Sequence, residues 1–180
     1  MSRLPLDRAD LPAASQPTLD AIQQAFGTVP AMFRAAAHAP AALASLWGAF
    51  GALGGGRLSP ALTETMAVAI ANRNGCEYCL AAHTALGRKA GVSSAALIDA
   101  QAGRSADPRT AAALRFALAV VEQRGPVADA DWQALEAAGF TAEERVELLA
   151  HVALNLYTNY LNLALDVPVD FPAVALRRAA

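Results

Sequence analysis

This chain is short of charge, of aromatic residues and of cysteine. Only 17% of its 180 residues are Asp, Glu, Lys or Arg and 6% are Phe, Trp or Tyr, against 55% hydrophobic. A net charge of −2 and a pI near 5.9 exclude the clustered Lys and Arg surface that a nucleic-acid partner requires. The opening MSRLPLDRADLP lacks the apolar core of a signal peptide, so a cytoplasmic protein is expected. The one long uncharged stretch, between Arg34 and Arg57, is broken by His38, Pro40 and Gly54-Gly55-Gly56. A span of roughly 20 strongly apolar residues is therefore missing, and no membrane partner is expected. No segment alternates polar and apolar residues with period two, which argues against a sheet protein. The two cysteines are accompanied by no second C-x-x-C or His pair, and no haem or flavin motif occurs.

What is present reads as helix throughout. Residues 1–14, with Pro5 and Pro12, read as an extended arm, and Ser15 to Phe26 as a first helix stopped by Gly27. Pro30 and Pro40 open Ala-rich segments. The second carries Leu43, Leu46, Trp47 and Phe50 on one face. Ser59-Pro60 is a cap with proline at the first helical position, starting a helix to about Asn72. Asn74-Gly75 interrupts it, and a helix from Cys76 runs to about Lys89, before Gly91. Ser93 or Ser94 caps a short helix to Ala102. Asp107-Pro108 opens another that ends at Gly125-Pro126, and Asp129 or Asp131 caps a brief one with Trp132. Thr141-Ala-Glu-Glu144 is a capping box leading a long helix through Leu165.

The expected fold is all-α, one domain over residues 1–180 with its core motif at 60–91. The high apolar content, with a mean hydropathy of +0.30, points to burial between subunits and hence a homo-oligomer. The proline-punctuated tail VPVDFPAVALRRAA reads as an arm lying over a neighbour. Setting Glu64 over Glu147 aligns Asn72 with Asn155 and the cysteines with Asn159 and Asn162, a hint of two related helical halves.

The chemistry sits in PALTETMAVAIANRNGCEYCLAAHTALGRKAG, residues 60–91. On one helix Cys76, Cys79 and His83, spaced three and four apart, share a face. Cys76 lies in the first turn, where free N–H groups and the helix dipole favour an anion. A helix start or a nearby imidazole lowers a thiol's pKa, and a C-x-x-C can close into a disulfide in a two-electron couple. Glu64, twelve residues before Cys76, reaches the same place if the helices on either side of Asn74-Gly75 form a hairpin. Thiol, imidazole and carboxylate then supply nucleophile, base and proton reservoir.

Blander readings stand beside this one. The cysteines alone are small buried core residues, and Cys76, Cys79, His83 and Glu64 together are a candidate four-ligand zinc set. His38 and His151 read as structural. Asn155, Asn159 and Asn162 recur on an apolar helix and read as interhelical or subunit contacts. Trp47, Phe50, Phe116 and Trp132 read as core.

Glu64, then Cys76-Glu77-Tyr78-Cys79, then His83 resembles the E…C-x-x-C-x-x-x-H core of the alkylhydroperoxidase D-like proteins, within the carboxymuconolactone decarboxylase-like superfamily. PAMFRAAAHAP and LNLYTNYLNLALDVPVDFP look similar to the same group, so the resemblance covers most of the chain. It implies an oligomeric all-α fold and thiol-dependent peroxide reduction. Cys79 would attack the peroxide, Cys76 would give a proton and then resolve the sulfenic acid, and Glu64 and His83 would complete a proton relay. No cofactor or metal is implied; the electrons come from an external dithiol or protein reductant. Tyr78 stands where the best-known members carry a histidine. The decarboxylase branch lacks the C-x-x-C. Position alone favours Cys76 as the more acidic thiol, whereas proximity to His83 favours Cys79 as the attacker. The rival to an enzyme is a redox sensor or zinc-stabilised module, and a decarboxylase-type lyase is the other alternative.

Overall fold

The computed structural model of the chain describes residues 2–177. Among the described residues there are nine α-helices, two 3-10 turns at Arg8–Asp10 and Ala13–Ser15, and no strand. The helices are α1 (Gln16–Phe26), α2 (Ala31–Ala36), α3 (Pro40–Gly54), α4 (Pro60–Asn74), α5 (Glu77–Lys89), α6 (Ser94–Gln101), α7 (Pro108–Gln123), α8 (Asp129–Ala137) and α9 (Ala142–Leu165). The all-α expectation holds, and no described helix is long and apolar enough to cross a membrane.

Local chemistry sets most boundaries. Ser59 accepts the Leu62 N–H and Pro60 takes the first helical position of α4. Asp107 accepts the Thr110 N–H to start α7, and Thr141 and Glu144 close a reciprocal capping box on α9. Two expectations need correction. Neither Asp129 nor Asp131 caps α8, whose N-cap is Ala128. Both aspartates lie in its first turn, where the dipole favours carboxylates, and Asp131 binds Arg115 at 2.6 Å. The first fourteen residues are not simply extended either. They coil into the two short turns, and the Arg3 N–H and Ser2 hydroxyl satisfy the Leu165 carbonyl at the end of α9.

Helix α4 is the axis of the fold. Every residue from Thr65 to Ala71 is buried, because α5, α6, α7 and α9 pack around it. A helix apolar on all sides is the sequence signature of that position, and its alanines let neighbours approach closely. Met66 and Ile70 are fully buried, each worth about 1.5–3 kcal/mol of hydrophobic stabilisation. Buried side chains from all nine described helices and the flanking segments join one cluster, to which α8 contributes Leu135. Trp132 is not core. It is 40% exposed, covering Phe116 on one side and the Arg145 guanidinium on the other.

The C-terminal tail packs against the chain's own helix ends. Its described part folds back over its own chain, while residues 178–180 lie outside the described residues. Asp170 accepts the Ala31 N–H at 2.6 Å, Phe171 stands edge-on to the Tyr78 ring, and Arg177 exchanges two backbone hydrogen bonds with the Asn72 side chain. Proline-rich extended backbone cannot pair with itself, so its polar groups find partners on the helix ends it crosses. As for the two aligned segments, α4 stops at Asn74 whereas α9 runs unbroken through Asn159 and Asn162. Cys76, an extended N-cap, thus differs in backbone from Asn159, whereas Cys79 and Asn162 both lie within helices.

Candidate active site

The site is made by the turn between α4 and α5. Gly75 adopts a left-handed conformation (φ 70°) that carries no Cβ penalty, and the Cys76 N–H reaches back to the Ala71 carbonyl at 2.9 Å. The chain therefore doubles back and lays α5 along α4. Gly87 permits the close approach: a Cβ there would lie 2.9 Å from Leu97 Cδ2 and 3.6 Å from Glu64 Cβ. This brings Glu64 beside a helix that begins thirteen residues after it in sequence.

Cys76 is the N-cap of α5 and its Sγ accepts the Cys79 N–H at 3.2 Å. The two sulfurs are joined in a disulfide, and both residues are buried. One turn further, His83 Nδ1 is 2.7 Å from Glu64 Oε2. That bond fixes the ring and leaves Nε2 for other work. All four expected residues thus come together as two bonded pairs. Cys79 and His83 share the lining of one pocket, though among the described residues the hydrogen bonds to sulfur come from the Cys79 backbone and from Asn162, not from His83.

Three hollows meet here. An apolar pocket of about 50 Å³ exposes Cys79 and His83 among Met32, Phe33, Phe50 and Phe171. A larger cavity, about 170 Å³, has Glu64, His83, His151 and Asn155 on its wall. A third hollow of about 180 Å³ borders Cys76, between Glu77 and Asp166. The two sulfurs of one disulfide therefore face different surroundings. The aromatic side of the first pocket is preorganised by Phe33, which packs on Phe26, Trp47 and Phe50 at centroid distances of 5.7–6.0 Å.

Tyr78 forms part of the pocket wall, and its hydroxyl points to structure rather than to the thiols. It accepts the Met32 N–H at 3.3 Å and bonds the Asp170 carboxylate, and burial holds its pKa far above the ordinary phenol value. Among the described residues no three His, Cys, Asp or Glu side chains are grouped to hold a metal ion.

Two features escaped the sequence reading. Asn162 makes the expected interhelical contact, but its partner is chemical: Nδ2 donates to Cys79 Sγ at 3.3 Å. The run of asparagines on an apolar helix was the signal, and only the partner was hidden. His151, read as merely structural, lines the larger cavity with its Nε2 buried and unpartnered. Burial pushes its pKa below the usual imidazole value, while Glu147 and Glu64 pull it back.

An all-α fold with a disulfide-forming C-x-x-C at a helix start, beside a His–Glu pair, defines the class. Residues 37–123 match the model of the carboxymuconolactone decarboxylase family. The chain is similar to that family over those residues, and it shares its fold with a protein that has an alkylhydroperoxidase AhpD core. A peroxidase-related protein with an alkylhydroperoxidase AhpD core, from Ralstonia eutropha JMP134, is 28% identical. It superposes with a TM-score of 0.83 over 94% of this chain and 92% of that one. A peroxidase-related protein from Silicibacter sp. TM1040 shares the fold at 23% identity and a TM-score of 0.80, over 97% and 92% of the two chains. The debrominase Bmp8, whose C82A variant is known in complex with 2,3,4-tribromopyrrole, shares it at 20% identity and a TM-score of 0.77, over 92% and 90%. No curated protein is a significant sequence match.

Proposed function

We propose that this chain is a thiol-dependent hydroperoxide reductase, acting as one domain in a homo-oligomer and drawing electrons from a cytoplasmic dithiol or protein reductant. One observation carries the reading: Cys79 is disulfide-bonded to Cys76 and opens onto an apolar pocket that it shares with His83, itself held by Glu64.

The chemistry balances as follows. In the reduced enzyme the Cys79 thiolate attacks the peroxide, forming an S–O bond as the O–O bond breaks. The leaving alkoxide takes a proton and departs as alcohol, with His83, backed by Glu64, handling protons between thiol and leaving group. Cys76 then attacks the sulfenic sulfur, the S–O bond breaks, and the oxygen leaves as water. The dithiol returns two electrons and two protons to the disulfide. Aromatic and aliphatic pocket walls suit an alkyl hydroperoxide better than a charged one. The exposed apolar stripe of Val146, Leu149, Tyr160 and Leu163 on α9 supports a second copy as the oligomeric partner.

The test is sustained turnover of cumene or tert-butyl hydroperoxide with dihydrolipoamide as reductant. Cys79→Ser should abolish it, and full activity in that variant would sink the mechanism. Cys76→Ser should instead accumulate a trappable sulfenic acid on Cys79. A single stoichiometric oxidation without turnover would make the protein a sensor, and zinc in the purified protein would favour the metal-stabilised version. The substrate panel includes 2,3,4-tribromopyrrole. Bromide release without peroxide consumption would replace the reading with reductive debromination by the same thiol pair.

A further inference from the structure

The pocket at Cys79 is smaller than the molecules it has to admit. It holds about 50 Å³, whereas an engineered cavity of about 150 Å³ takes up a single benzene ring. An organic hydroperoxide of that size reaches the sulfur only if a wall moves. Most of the wall is fixed. Met32, Phe50, His83 and Thr158 sit within α2, α3, α5 and α9, and Phe33 and Tyr78 are buried in the core. Moving any of these disturbs close packing well beyond the pocket. Phe171 is different, because it comes from the tail, whose described backbone forms no regular structure after α9.

That tail is a strap with a hold at each end and one in the middle. At its start the Val167 N–H bonds the Asn162 carbonyl at 3.0 Å. At its end Arg177 exchanges bonds of 2.8 and 2.9 Å with the Asn72 side chain. Between them Asp170 takes the Ala31 N–H at 2.6 Å, meets the Tyr78 hydroxyl, and lies 3.9 Å from the Arg34 guanidinium. Pro168 and Pro172, on either side, have no N–H to contribute. One carboxylate therefore keeps Phe171 in place, edge-on to the Tyr78 ring at 5.6 Å. A segment with so few backbone bonds opens locally at far lower cost than the helices beneath it.

We propose that residues 168–176 are a lid on the Cys79 pocket, latched by Asp170, and that Phe171 sets the size of molecule that reaches the sulfur. The inference rests on Cys79 as the reacting thiol and adds what its site selects. A compact hydroperoxide enters the closed pocket, and a bulky one enters only while the lid is open, so its rate is scaled by the open fraction.

The experiment leaves peroxide out. The reduced full-length protein is alkylated with iodoacetamide and with the bulkier N-phenyliodoacetamide, and modification of Cys79 is followed by peptide mass spectrometry. Each rate is divided by the rate of the same reagent with a free small thiol. The bulky reagent should be handicapped at Cys79 by at least about tenfold, the effect of an open fraction of about a tenth or less. Phe171→Ala and Asp170→Ala should each remove most of that handicap. Phe171→Leu, a milder change, should remove part of it and serves if an alanine variant does not fold. The absence of a handicap in the unaltered protein, or one left intact by these changes, overturns the lid. Alkylation needs no turnover, so the lid and the peroxidase reading fail separately: peroxide consumption with no size handicap sinks only the first, and a handicap without peroxide consumption only the second.

Discussion

The side-chain amide of Asn162, deep in α9, donates to Cys79 Sγ at 3.3 Å across 83 positions of sequence. A donor aimed at sulfur favours the thiolate over the thiol. Asn162→Leu should therefore move the pH midpoint of Cys79 alkylation upward in the reduced protein and slow its reaction at neutral pH by about three- to tenfold. Iodoacetamide kinetics from pH 5 to 10 measure both. An unchanged midpoint would reduce Asn162 to a packing residue.

Glu64 holds His83 by a single short bond, with side-chain exposures of 21% and 14% respectively. His83→Gln should lower the peroxide-dependent rate by about 10²-fold, the usual range for loss of a general acid–base group. Glu64→Gln keeps the shape but not the charge, so it should fall between that variant and the unaltered protein and displace the pH–rate profile. Rapid-mixing measurements of disulfide formation separate these effects from reductant supply.

Tyr78→Phe removes an acceptor from the Met32 N–H and a bond to Asp170, in a residue only 4% exposed. A loss of about 1–2 kcal/mol is expected, seen as a lower urea midpoint with an unchanged slope. Because the hydroxyl faces away from the sulfurs, the rate of disulfide formation should stay within about twofold. A large loss of rate with stability intact would instead make Tyr78 part of the chemistry.

His151 supplies a pH dependence whose sign follows from its environment. Its folded pKa lies below the ordinary imidazole value of 6.5, chiefly because it is buried, with Glu147 and Glu64 opposing. The unfolded chain therefore binds the extra proton more readily. The stability this group confers is complete above pH 6.5 and is lost as pH falls through the folded value. Thermal midpoints taken from pH 7.5 down to 5 should drop for the unaltered protein and drop less for His151→Gln.

Gly56 shows how a loop is tied to the frame of the site. A Cβ there would lie 2.7 Å from the Glu147 carboxylate, which itself accepts the N–H groups of Arg57 and Leu58. Glu147 thereby pins the α3–α4 loop to α9 and positions Ser59 to begin α4. The triple glycine was legible as a break in the long uncharged stretch. Gly56's use as a berth for a carboxylate 91 positions away was not, since no local pattern distinguishes it from its neighbours.

What the sequence determined by itself was local. Capping residues placed the starts of α4, α7 and α9, because a side-chain oxygen and a backbone N–H three positions on are neighbours in any fold. Three- and four-residue spacing put Cys76, Cys79 and His83 on one helix face for the same reason. The tertiary structure decided everything that depends on distant partners. It gave Glu64 to His83 and Asn162 to Cys79, and turned the tail back over Tyr78. Those outcomes follow from how α4, α5 and α9 pack, and close packing is set by the whole core at once rather than by any stretch of chain.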